Sequence, residues 1–316
     1  MQLNKVLKRW LIAGGILVGL LVVALVGASF YFYNMTVARG KKSFIGAPKA
    51  LTTNDPLYPQ KHWYQAAKKY RWTETAAGAK FKLVANYLPA ARATKKTVVL
   101  VHGFASSKEQ MGGYAGMFHQ LGYNVLVPDD RAQGASGGQA MSYGYFESRD
   151  YLKWINQVIA RQGKQSQIVL FGVSMGGATT MIASGLKTPT QLKAYIEDCG
   201  YTTADAEIRY QARQMYNLPY WPLVPMTSAV TRVRAGFSFK DADALSAVKR
   251  NHKPMLFIHG GADTFVPTKM VYQVYHADAG PKQLLVVPGA QHAAALSHNP
   301  QLYQSTVKRF LAQYFH

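Results

Sequence analysis

The chain has 316 residues, of which 48% are hydrophobic, with 36 Lys and Arg set against 15 Asp and Glu. That length holds one large α/β domain plus an N-terminal appendage, and the single cysteine, Cys199, excludes an intrachain disulfide and makes a cysteine-built metal cluster implausible. The formal net charge of +21 favours anionic surfaces such as lipid headgroups or wall polymers, or simply solvated faces; no recognised nucleic-acid-binding motif accompanies it, so nucleic acid is not expected as a partner.

Residues 1–9 form a short basic tail carrying Lys5, Lys8 and Arg9. Trp10 to Tyr33 contains no charged residue, and its 24 positions, at about 1.5 Å rise each, cross a hydrocarbon core of roughly 30 Å. Residues 10–33 therefore predict a transmembrane signal anchor with Trp10, Tyr31 and Tyr33 at the interfaces. Val26-Gly27-Ala28 resembles a small-residue cleavage site, and secretion after cleavage is the alternative; the apolar run exceeds a signal h-region, which favours the uncleaved anchor. Short tails stay inside, so the catalytic domain is expected outside the cell. Residues 34–55, with Gly40, Gly46 and Pro48, read as a linker to a domain over 56–316. A helix is expected over 60–70, and Lys61, Lys68, Lys69 and Arg71 in this segment nearest the anchor offer a basic surface.

From residue 80 onward, strands expected at 80–87, 97–101, 123–127, 167–171, 193–197, 255–259 and 283–287 alternate with helix-like stretches, and a last helix covers 302–315. The pattern predicts an α/β domain with a mostly parallel central sheet flanked by helices. The strand at 97–101 ends in His102-Gly103-Phe104, where Gly103 lets the chain turn and His102 shapes the turn. The strand at 167–171 runs into Gly172-Val173-Ser174-Met175-Gly176-Gly177 and then a helix. This is the setting of a nucleophile elbow: a serine held on a sharp strand-to-helix turn, with Gly172 and Gly176 keeping side chains out of the crossing. Ser174 is the candidate nucleophile. The backbone amides of Met175 and Phe104 are the candidate oxyanion donors.

A triad on this layout places its acid and then its base on later strand-end loops. Asp263 lies on the Gly-rich turn after 255–259, and His292 follows the strand at 283–287 through Pro288-Gly289-Ala290-Gln291. His292 is expected to shuttle the proton and Asp263 to orient it. Asp198, one strand earlier, is a rival acid, and Cys199 beside it reads as a small buried side chain. The stretch from 202 to 241 is too long for a plain loop and is rich in aromatics and methionines. Tyr220, Trp221 and Met226 are its candidates for an apolar substrate pocket, with simple packing of the insertion as the alternative. Arg209 and Arg213 share one helical face.

On His102-Gly103-Phe104, Asp129 to Gly138, Gly172 to Gly177, His259 to Pro267 and Gly289 to His292, the chain resembles the α/β-hydrolases, and among them the membrane-anchored esterase/lipase-like serine hydrolases of Gram-positive bacteria. One departure is Ala132-Gln133, where many relatives carry Gly-His. The resemblance implies an α/β-hydrolase fold, a lid formed by the insertion over 202–241, and the nucleophile, acid and base at Ser174, Asp263 and His292. It also implies an enzyme needing neither metal nor organic cofactor, acting on a small-molecule or lipid-like ester through an acyl-enzyme. A serine peptidase, or a non-catalytic surface-binding protein on the same fold, are the alternatives.

Overall fold

The computed structural model describes residues 4–42, 46 and 50–315. Helix α1 (Lys5–Thr36) is capped by the Asn4 side chain, which accepts a hydrogen bond from the Val6 amide at 3.2 Å. It has a mean hydropathy of 2.7 over its most apolar window, enough in length and composition to cross a membrane. Helix α2 (Tyr58–Ala66) precedes strands β1 (Tyr70–Thr75), β2 (Lys82–Leu88) and β3 (Lys96–Val101). There follow α3 (Gly112–Gln120), β4 (Asn124–Pro128), α4 (Glu147–Gln162), β5 (Gln167–Val173), α5 (Met175–Ser184) and β6 (Leu192–Asp198). The insertion contains α6 (Ala204–Tyr216) and α7 (Leu223–Ala235). The chain closes with α8 (Ala244–Val248), β7 (Met255–Gly260), α9 (Lys269–Ala277), β8 (Lys282–Val287), α10 (Ala295–His298) and α11 (Pro300–Ala312).

The eight strands make one sheet in the order β1-β2-β4-β3-β5-β6-β7-β8. The β1–β2 and β2–β4 pairs are antiparallel, and every other pair is parallel. β-Branched and other apolar residues make up the central strands because both faces of a parallel sheet are covered. Val99, Val101 and Leu170 point to one layer with Trp154 and Met181, and Val98, Leu100 and Phe171 to the other with Phe118 and Phe310. Parallel pairing in register, Val101 opposite Gly172 and Val173 opposite Asp198, brings the carboxyl ends of β3, β5 and β6 to one rim. The ends of β7 and β8, with Gly260 opposite Val287, complete it.

Two features differ from the sequence reading. Strand β1 adds an antiparallel edge that YRWTET does not announce, since only Trp72 of its six residues is buried. The second concerns the segment from residue 34. Helix α1 continues to Thr36, Tyr33 and Val37 are buried, Ala38 bridges Ala140, and the Arg39 side chain donates to the carbonyl of Ser136 at 2.7 Å. Residues 34–42 thus dock on the body instead of spacing it from α1; residues 43–45 and 47–49 lie outside the described residues.

Candidate active site

Ser174 sits between β5 and α5 with φ 58° and ψ −118°, a conformation that an L-residue adopts only under constraint. The constraint is close packing of backbone. A Cβ on Gly172 would lie 2.0 Å from the Gly176 carbonyl oxygen, and one on Gly176 would lie 2.2 Å from that of Val101. Only hydrogen fits at either crossing, and the Ser174 amide is fixed by the Asp198 carbonyl at 2.8 Å. Met175 opens α5, where the first N–H groups have no helical acceptor and the helix dipole is positive.

Gly103 brings the turn after β3 alongside: a Cβ there would stand 3.4 Å from Ser174 Cβ and 3.9 Å from its Oγ. His102 holds that turn, engaging the Gly103 carbonyl through Nδ1 at 2.8 Å and accepting from the Asp130 amide through Nε2 at 3.0 Å. Burial pushes the His102 imidazole below its ordinary value, in keeping with a neutral structural ring.

His292 Nε2 lies 2.9 Å from Ser174 Oγ, and its Nδ1 lies 2.8 Å from Asp263 Oδ2. The turn after β7 locks this carboxylate. Its Oδ1 accepts from the amides of Phe265 and Val266, both at 2.9 Å, and its Oδ2 also stands 3.3 Å from His259 Nε2. Burial alone would raise the Asp263 carboxyl, but the hydrogen bonds from His259 and His292 outweigh it and hold it at about 2. Asp263 is therefore an acceptor at neutral pH. Nδ1 of His292 accordingly donates to it, which leaves Nε2 to accept the proton of the Ser174 hydroxyl. Phe265 packs on the imidazole with ring centroids 4.9 Å apart.

Asp198 is differently engaged. Its Oδ2 accepts from the Tyr303 hydroxyl at 2.8 Å, deep in the core, and burial raises its carboxyl to about 6. Cys199 is buried beside it as a free thiol that burial pushes well up. Ligand-type atoms of Cys199, Asp263 and His292 lie within 4.8 Å of one another. A protonated thiol and an imidazole already committed to Asp263 are a poor donor set for a metal.

A cavity of about 860 Å³ including its mouth opens above Ser174. Its lining departs from the expected pocket residues. Trp221 is 71% exposed, the Tyr220 hydroxyl is turned onto Asp205 at 3.1 Å, and Met226 does not line the space. Trp221 faces outward, whereas Tyr220 is half-buried and packs against the core. The walls come instead from Met215 and Tyr216 of α6, Leu223 and Val224 of α7, and Phe32 and Met35 of α1. Sequence reasoning missed Phe32 because its apolar setting is indistinguishable from that of a lipid-facing surface, and Met35 because it falls in the expected linker over 34–55. It also missed Glu207, a buried carboxyl in the wall that burial raises to about 8, and the role of His259 against Asp263. Nothing in the sequence sets Glu207 apart from Asp205 and the other charged residues of the insertion.

Residues 92–216 match the family model described as serine aminopeptidase, S33. Among curated proteins, the uncharacterized protein YqkD of Bacillus subtilis is 29% identical over 294 residues, covering 93% of this chain and 95% of its own. Among solved structures, the esterase Pf2001 of Pyrococcus furiosus aligns over 86% of this chain and 98% of its own, with a TM-score of 0.66 and 21% identity. The acylaminoacyl peptidase of Pyrococcus horikoshii aligns over 79% of this chain and 42% of its own, with a TM-score of 0.58 and 16% identity. At these identities the structural likeness is one of fold.

Proposed function

We propose that this chain, a serine hydrolase of the α/β-hydrolase superfamily, cleaves carboxylic esters through an acyl-enzyme. Ser174 Oγ attacks the ester carbonyl while His292 Nε2 takes its proton, with Asp263 stabilising the imidazolium. The developing oxyanion is held by the backbone amides of Met175 and Phe104. Collapse expels the alcohol, which leaves with the proton from His292, and the acyl group stays on Ser174. Water then attacks this second ester, gives its proton to His292, and releases the acid as the Ser174 hydroxyl re-forms. The observation that carries the reading is the unbroken chain of hydrogen bonds from Asp263 through His292 to Ser174, beside a turn that passes the nucleophile without a side chain.

The ester preference rests on the apolar wall of the cavity, which suits an acyl chain better than a peptide backbone with its unmet hydrogen bonds. Glu207 supports the other reading, a peptidase, because a buried carboxyl can receive a substrate amine. Turnover of short p-nitrophenyl esters against aminoacyl anilides separates the two. The ester reading expects hydrolysis of the p-nitrophenyl esters with little release of aniline; selective cleavage of the anilides would establish the peptidase. We also propose that α1 is an uncleaved anchor placing the domain outside the cell. A cut after Ala28 would sever the helix just where Ser29 begins its buried packing on the body.

A further inference from the structure

We infer that the active site takes its substrate directly from the bilayer, as a long-chain acyl ester of a membrane lipid, with the membrane helix itself forming one wall of the acyl pocket. The inference rests on the ester-hydrolase reading and on α1 as an anchor. Spanning roughly 30 Å of hydrocarbon takes about 20 helical residues, here Trp10 to Ser29. Every residue from Trp10 to Ala24 is exposed, whereas Leu25, Val26 and Ala28 are partly covered and Ser29 is buried. The body therefore begins before the span is complete, and no spacer separates it from the membrane.

The pocket follows at once. Met35 is six residues beyond Ser29, about 9 Å along the helix axis. Phe32 packs edge-on against Tyr216 at 5.8 Å, and the Tyr216 hydroxyl meets the Met35 sulfur at 3.3 Å. These contacts join α1 to the lid across the cavity above Ser174. At the membrane-facing end, the Arg234 guanidinium of α7 lies 5.6 Å from the Phe30 ring and 5.2 Å from that of Tyr33. Its neighbour Val233 is 86% exposed. An apolar side chain so placed, at the depth where α1 leaves the bilayer, is covered by lipid.

Charge agrees with this placement. Between Glu207 and Asp241 the insertion carries Arg209, Arg213, Arg232, Arg234 and Lys240 and no acidic residue. Of these, Arg232 is paired with Asp241 at 2.8 Å. Such a segment is attracted to anionic headgroups. Near α2, Lys61 is likewise paired, with Asp55 at 2.6 Å. An acyl chain lifted by about 10 Å from the hydrocarbon edge reaches apolar walls without crossing water, so its transfer costs little.

The test uses the full chain reconstituted in vesicles of phosphatidylcholine and phosphatidylglycerol that carry a fluorogenic long-chain diacylglycerol ester. Soluble p-nitrophenyl butyrate is assayed in parallel. The inference expects both substrates to be cleaved. Val233→Glu and Arg234→Glu, neither of which lines the cavity, are each expected to slow the vesicle reaction about tenfold while leaving butyrate turnover within about twofold. Met35→Trp is expected to shift preference towards shorter acyl chains. Turnover of butyrate with the vesicle ester untouched, or vesicle rates in both lid variants equal to wild type, would overturn it. Failure to cleave either ester removes the ester-hydrolase reading itself, and the inference falls with it.

Discussion

His259 Nε2 stands 3.3 Å from Asp263 Oδ2, the same oxygen that receives the hydrogen bond from His292 Nδ1. The carboxylate is thus shared by two imidazoles, one towards Ser174 and one beneath it. His259 is fully buried, and its Nε2 also reaches the Val266 carbonyl at 2.9 Å, so it fixes both the charge and the loop that presents it. Burial would lower the His259 imidazole, but the bond to Asp263 and the charge of Glu197 raise it.

Removing this partner should therefore be felt first in acid. Because the folded carboxyl of Asp263 is depressed to about 2, its stabilisation is present above the ordinary aspartate value near 4 and is lost as pH falls from there towards 2. In His259→Ala the depression is weaker, so acid unfolding should begin at a higher pH. At neutral pH the orphaned Val266 carbonyl should cost roughly 1–3 kcal/mol. Chemical denaturation of wild type and variant from about pH 2 to 7 checks both; superimposable acid limbs would count against shared support of Asp263.

The two candidate acids make opposite predictions. Asp263→Asn should lower kcat by about 10⁴, since an amide neither fixes the tautomer nor stabilises the imidazolium. Asp198→Asn, bonded to Tyr303 and not to His292, should keep activity within about tenfold. Steady-state kinetics on a short ester decides it, and the reverse ranking would move the acid one strand earlier.

The backbone crossing at the elbow predicts severe intolerance. Gly172→Ala places a methyl group 2.0 Å from a carbonyl oxygen, and no side-chain rotation relieves it. Loss of at least about 3 kcal/mol of stability is expected, read as a fall in the denaturation midpoint. Gly163→Ala, whose Cβ meets nothing within 4 Å but whose φ is 92°, should cost less.

Glu207 supplies a prediction in base. Burial raises its folded carboxyl to about 8, above the unfolded value near 4.5, so its contribution is fully present below pH 4.5 and is lost as pH rises through 8. Glu207→Gln removes that liability. The variant should unfold about 5 °C higher than wild type at pH 8 and close to it at pH 4.5, by thermal melts at the two pH values. An equal difference at both would show that the folded carboxyl titrates as the unfolded one does, so that burial does not raise it.

The grouping of Ser174, Asp263 and His292 was legible because each stands where a recognisable strand gives way to a turn: Gly172 to Gly177, Gly260 to Asp263, and Pro288 to His292. Long apolar strands also announced the sheet, to within a residue or two. What stayed hidden depends on tertiary packing. Strand β1 buries one side chain of six and carries no alternation. Aromatic and methionine content alone leaves Tyr220, Trp221 and Met226 open between lining a pocket and packing the insertion; Tyr220 packs against the core and Trp221 is exposed. Phe32 falls in the expected membrane span and Met35 in the expected linker, and nothing in an apolar helix tells which of its residues face lipid and which face a substrate.

Central to the account is the claim that Ser174 is made nucleophilic by His292, and a fluorophosphonate probe tests it directly. Incubated with the purified full chain, the probe should attach to one peptide, that containing Ser174, with labelling lost in Ser174→Ala and reduced at least about 10³-fold in rate in His292→Ala. Labelling of Ser174→Ala as strong as wild type, or attachment to any other residue, would contradict it.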